Sequence, residues 1–268
     1  MRYFGSSFKF VFRNFLYLAV FCAGPSLIMA YYYRDNSIFD FFKGLFSDTP
    51  PADSYIYFSF ISNETWYFAI GTLLLIGFTF SAVFAYVNRV LKIGSRSIVK
   101  SFKKTTETIV PVFLVLFVLI VIVQIFALLA YGLIELMLMS SASVYRPIIP
   151  VILTLIYSIM LFLIFKLFMT IPTMLTLGYK FRESIGYSIK LSVGFIFKFV
   201  LATLFIVLII IGLSCFSNVL YDALWFGLII GTINYMLVLM YFPALMMVAF
   251  YDINGMNRLD IKRKFIYS

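Results

Sequence analysis

The chain has no histidine. That absence removes Ser–His and Cys–His nucleophiles, zinc sites of the His-Glu-x-x-His type and haem held by an axial histidine. Cysteine is almost as scarce: Cys22 and Cys215 both fall near or within apolar runs. Two isolated thiols build neither a metal cage nor a secreted disulfide framework. No Gly-x-x-x-x-Gly-Lys-Ser/Thr phosphate loop and no dinucleotide-binding glycine fingerprint is present. No aspartate lies within any long apolar run, so the paired carboxylates of intramembrane aspartyl proteolysis are missing. Enzymes that use Lys, Glu or Tyr alone are the remaining catalytic class. The expectation is a non-enzymatic protein with no cofactor and no metal.

Charge is the next scarcity. Only 12% of the 268 residues are charged, against about 25% in a soluble domain, too few to coat a water-facing surface. Hydrophobic residues make up 63% and the mean hydropathy is +1.05. Uncharged runs occupy residues 14–33, 65–88, 108–134, 199–221 and 223–251, with 147–179 interrupted only by Lys166. Each has the ~20 residues that a ~30 Å hydrocarbon core requires. The expectation is therefore an all-α, polytopic membrane protein: one domain over 1–268, six transmembrane helices in three hairpins, and amphipathic helices at the cytoplasmic interface.

The net charge of +10 raises the question of nucleic acid, and its placement answers it. Most basic residues collect before the first run, between the second and third, between the fourth and fifth, and after the sixth. The opposite connections hold only Arg34, Lys43 and Arg146, together with most of the acids. Alternation of this kind follows the positive-inside rule and puts both termini in the cytoplasm of a multi-pass cell-membrane protein. Nucleic acid is not expected as a partner. The first run reads as a span rather than a cleaved signal, because Tyr31, Tyr32, Tyr33 and Arg34 stand where small residues would be needed.

A repeat runs through these segments. Ser97, Ile98, Ser101 and Lys103 recur 87 residues later as Ser184, Ile185, Ser188 and Lys190, and Ser7, Phe8 and Lys9 echo Ser101, Phe102 and Lys103. Pro172 and Pro243 lie late in the fourth and sixth spans, where each is expected to kink or end its helix. A proline near the end of an even span, a Ser-rich basic segment at 182–198 and an aromatic-rich start of the next span resemble a bacterial family. It is the polytopic membrane domain fused to some glycerophosphodiester phosphodiesterases, with its uncharacterised free-standing relatives. The resemblance covers mainly the second half of the chain. It implies a helical architecture and an envelope or lipid setting, and carries no activity over.

Candidate functional residues follow from position. Arg89, Lys92, Arg96, Lys100 and Lys103, with Lys104, step at helical spacing and predict one basic stripe on an interfacial helix suited to anionic headgroups. Lys166 is the only ionisable residue deep in a run. A straight helix from Arg146 to Lys180 would be about 51 Å long. The part after Pro172 is therefore expected to turn along the membrane surface, letting Lys166 snorkel; the other reading is an interior ligand contact. Glu135 is expected too far out to pair with it. Gln124 and Asn234 lie nearer mid-bilayer and can bond between helices. Gly227 and Gly231, and Gly77, Ser81 and Ala85, form small-residue rows that let helices approach closely. Residues 35–64 are expected to carry a short outer-leaflet helix after Ser37 and an unused sequon at Asn63, and Tyr31 to Tyr33, Tyr55, Tyr57, Trp66 and Tyr67 are expected to form an aromatic belt at that boundary.

Two functions fit. The first is a non-enzymatic envelope protein that engages anionic lipid or a membrane protein partner through its basic face. The alternative is a small transporter or permease subunit with a polar site at Lys166, Gln124 and Asn234.

Overall fold

A computed structural model describes residues 2–32, 66–139, 149–192, 194–219 and 224–262. Among these the regular structure is helical throughout. The helices are α1 (Arg2–Arg13), α2 (Phe15–Tyr32), α3 (Trp66–Ile93), α4 (Ile98–Met139), α5 (Ile149–Leu167), α6 (Thr170–Leu177), α7 (Phe181–Ser192), α8 (Ile196–Val219), α9 (Leu224–Ile253) and α10 (Leu259–Lys262). The outer helix, the sequon and Tyr33, Tyr55 and Tyr57 fall outside the described residues, as do Arg146 and the side chains of Tyr32, Trp66, Tyr67, Glu135 and Cys215.

Four stretches are long and apolar enough to cross a membrane, at 70–93, 98–130, 151–177 and 225–253; six result if α1–α2 and α7–α8 each count as one bent span. These long apolar helices fit a multi-pass membrane protein. Helix α9 is the hub, packing on α1, α2, α3, α6 and α8. Two thirds of its most apolar window is buried, against 17% for α4, so α4 turns most of its surface outward. Val110, Phe117, Ile125 and Leu128 of α4 are all exposed. Side chains of that kind are stable outside only where the surroundings are themselves apolar. The core is built where α9 meets α2 and α3, around Leu18, Tyr86, Leu91, Met240, Tyr241 and Phe250.

The repeat takes a definite three-dimensional form. Helix α1 meets α2 at 84° and α7 meets α8 at 85°. Each of these crosswise helices rests on an even span that precedes it around the bundle: α1 lies along α9, and α7 lies against α5 and α6. Sequence pattern explains the faces. In α1, Ser7, Phe10 and Val11 turn inward while Lys9, Phe12 and Arg13 turn outward; in α7, Ser184, Ser188 and Ser192 turn inward while Arg182 and Lys190 turn outward. The repeat-related serines Ser7, Ser101 and Ser188 are all fully buried.

The middle repeat departs from the expected scheme. Helix α4 begins at Ile98 and continues unbroken to Met139, about 63 Å, with no separate interfacial helix before it. The expected single stripe from Arg89 to Lys103 is corrected as well. Arg89 and Lys92 belong to the end of α3, which stops at Gly94, and Lys100, Lys103 and Lys104 belong to α4. Gly94 has φ 70°, a left-handed conformation that glycine adopts without steric cost and that ends a helix.

Neither proline marks the end of a helix. Pro243 lies inside α9, which continues through it. Pro172 sits in the first turn of α6, where its missing N–H is one of the donors that a helix start leaves unused anyway. The break comes earlier, at Phe168 and Met169, and Ser188 of α7 closes it. Its hydroxyl donates to the Lys166 carbonyl at 2.7 Å and accepts from the Met169 N–H at 3.1 Å. The first turn of α6 is inside the bundle: Thr170, Ile171, Pro172 and Thr173 are buried, and α6 packs on α4, α7 and α9.

Three tyrosine hydroxyls tie the bundle together near its basic end. Tyr86 of α3 donates to Asn14 Oδ1 at 3.2 Å, Tyr251 of α9 to Asn88 Oδ1 at 3.1 Å, and Tyr187 of α7 to Asn254 Oδ1 at 2.5 Å. Each asparagine amide in turn donates to a backbone carbonyl: Asn14 to Phe10, Asn88 to Leu175, Asn254 to Phe250. Asn14 stands at the α1–α2 bend and is buried, so it both fixes that corner and anchors it to α3. Replacing Tyr86 by Phe leaves the buried Asn14 Oδ1 without this donor. Such a loss costs about 1–3 kcal/mol. Thermal unfolding in detergent micelles should show the Tyr86→Phe variant melting below wild type, with Tyr179→Phe, at an exposed position, unchanged.

Candidate functional site

The basic end of the bundle is carried on five helices, α1, α3, α4, α7 and α8. Ser97 caps the start of α4, its hydroxyl accepting from the Lys100 N–H at 3.4 Å, and Ser101 donates back to the Ser97 carbonyl at 2.8 Å. Lys100, Lys103 and Lys104 then project outward on the first turns of α4, beside exposed Val99 and Phe102. Across the turn, Lys92 is exposed, while Arg89 and Arg96 are half-buried. The Nε of Arg89 is buried with no acceptor among the described residues. Lys9 and Arg13 of α1, Arg182 and Lys190 of α7 and Lys198 of α8 are exposed as well.

Among the described residues, Lys104 is the one rim lysine that meets a carboxylate. Lys104 reaches Glu107 at 3.8 Å, but both side chains are more than half exposed, and an ion pair in that setting contributes little. Large apolar side chains alternate with the cations: Phe12 precedes Arg13, Phe102 precedes Lys103 and Phe197 precedes Lys198, and all three rings are exposed. Cation and exposed apolar ring side by side suit a headgroup layer, where charge faces phosphate and the ring enters the acyl boundary.

Arg258 stands apart from the rim. The chain places it among the terminal basic residues, yet its side chain is only 6% exposed and is held by two carboxylates. Its guanidinium reaches Asp252 at 3.1 and 3.2 Å and Asp260 at 3.0 and 3.2 Å. Burial pulls its pKa down; the hydrogen bonds and charges of Asp260 and Asp252 outweigh this and leave it above its ordinary value. Arg13 donates to the Asp260 carbonyl at 3.0 Å, so this cluster joins α1, the end of α9 and α10. The signal available in the chain was two acids amid an otherwise basic terminus.

The polar trio is not assembled. The Lys166 ammonium lies 5.2 Å from the centre of the Phe162 ring, and it bonds to neither Gln124 nor Asn234. Gln124 and Asn234 are half-buried on α4 and α9. The small-residue rows do mark close approaches. A Cβ on Gly77 would lie 2.5 Å from the ring of Phe113 on α4, and one on Gly231 would lie 3.3 Å from the Ala30 Cβ of α2. Ser81 donates to the Gly77 carbonyl and accepts at its own carbonyl from Thr108 of α4, and Ala85 is buried. Gly227, one turn before Gly231, is half-buried.

No family model matches this chain, and neither a curated protein nor a solved structure does.

Two substitutions test this geometry. Arg258→Ala strands two carboxylates together; breaking such a buried pair should cost about 3 kcal/mol and speed hydrogen exchange over residues 256–262. Gly77→Val overpacks the α3–α4 contact and should lower stability by about 1–3 kcal/mol. Gly24→Ala, where nothing lies within 4 Å of an added Cβ, should leave the melting temperature in place.

Proposed function

We propose that the protein is a non-enzymatic, multi-pass membrane protein whose basic rim faces the cytoplasm and engages anionic lipid. The observation that carries this reading is the pair of crosswise helices. If α2 and α8 cross the bilayer, α1 and α7, turned by 84° and 85°, lie along its surface with their cations outward. Lys100, Lys103 and Lys104 then sit at the same level on α4. A phosphate layer at that level supplies the counter-charge that the protein itself withholds from the rim and grants to Arg258.

Transport is the second reading; it would need Lys166, Gln124 and Asn234 to line one polar cavity. A membrane protein partner seated on the rim would compete with lipid for the same cations.

Each basic side chain near an anionic surface contributes about 1 kcal/mol, so changing Lys100, Lys103 and Lys104 together to Gln removes about 3 kcal/mol of attraction. Native mass spectrometry of gently extracted protein should show phosphatidylglycerol retained by wild type, largely lost by the triple Gln variant and restored by the triple Arg variant. An unchanged lipid complement in the Gln variant overturns the proposal.

A further inference from the structure

An open, shallow depression of about 740 Å³ lies over one face of α5, formed by Val151, Thr154, Leu155, Ser158, Ile159 and Phe162. These residues recur at helical spacing on one face, and four of them are large, exposed apolar side chains. Of the two polar ones, Ser158 turns its hydroxyl back onto the Thr154 carbonyl at 2.6 Å. From Val151 to Phe162 the groove extends about 17 Å at the helical rise, close to half of the ~30 Å hydrocarbon core. That is the depth of one leaflet.

Lys166 closes the groove at its lower end. Its ammonium lies over the ring of Phe162, the last lining residue, at 5.2 Å, and it forms no ion pair with a described residue. Its level follows from α7. Ser188, in the middle of that crosswise helix, bonds the backbone at Lys166 and Met169, so Lys166 stands at the height of α7. If α7 lies along the membrane surface, this is the height of the headgroups, and α6 continues beyond it.

We propose that the α5 face is a binding site for one anionic phospholipid, its acyl chain in the groove from Val151 to Phe162 and its phosphate on Lys166. An apolar trough one leaflet deep that ends in a single uncompensated ammonium is complementary to an amphiphile with an anionic head. The inference takes the level of the headgroups from the preceding reading but uses none of the rim lysines, so the two fail separately.

The test uses the full chain in phosphatidylcholine vesicles doped with phosphatidylglycerol carrying a diazirine in its acyl chain. Irradiation should place cross-links on the peptide spanning 151–162. Lys166→Gln should cut that labelling by about fivefold, the value of one basic residue near an anionic lipid, and Lys166→Arg should preserve it. Ile159→Trp, at an exposed position, fills the groove and should also suppress labelling with the cation intact. The triple Gln variant at 100, 103 and 104 should label like wild type at this peptide. Equal labelling by the phosphatidylcholine analogue, indifference to Lys166→Gln, or full displacement by a free fatty acid at equimolar concentration would each overturn the site.

Discussion

A buried backbone has no water to bond, so N–H and C=O groups freed by a bend inside the bundle must be met from within the protein. The rest of this structure depends on how that requirement is met at its corners. Asn14 fills the gap where α1 turns into α2, its amide on the Phe10 carbonyl and its carbonyl receiving the Tyr86 hydroxyl. Ser188 fills the gap between α5 and α6 from a helix that is crosswise to α8. Helices end in left-handed glycines at Gly94 and Gly178. The Asn14 and Ser188 solutions satisfy the backbone and at the same time fasten one helix to another, so these two bends are also joints of the bundle.

The same economy organises charge. Where Arg258 is buried, two carboxylates meet it with four hydrogen bonds, because a guanidinium out of water needs its charge and its donors answered together. Where lysines reach outward on α1, α4 and α7, the protein supplies almost no acid. The contrast separates a cation that belongs to the fold from cations directed at something outside it. Lys166 belongs to the second kind by its pairing, although its neighbours in the chain are apolar. Its backbone carbonyl is used by Ser188 while its ammonium rests on a ring at the end of an open groove.

Much of the basic rim was legible in the chain, since Lys100, Lys103 and Lys104 stand out from any apolar neighbourhood and remain exposed. Its shape was not. Spacing alone joined Arg89 to Lys103 on one helix, whereas Gly94 divides them; a glycine in an apparently periodic segment looks the same whether it is helical or left-handed. The small-residue rows were legible as packing faces, but only the fold names Phe113 and Ala30 as what they pack against. The three tyrosine–asparagine bonds left no local trace, because their partners lie 67 to 163 residues apart. The buried serines were visible as a repeat before their purpose was.

Hydropathy and charge act residue by residue on the transfer of each segment from water, so the chain by itself determined the helical class, the apolar segments and the end at which cations gather. Bend angles, the pairing of Arg258, the break before Pro172 and the height of Lys166 were decided only by tertiary structure. They arise where distant segments compete for the same backbone groups, and which donor meets which acceptor is settled by helices packing side by side.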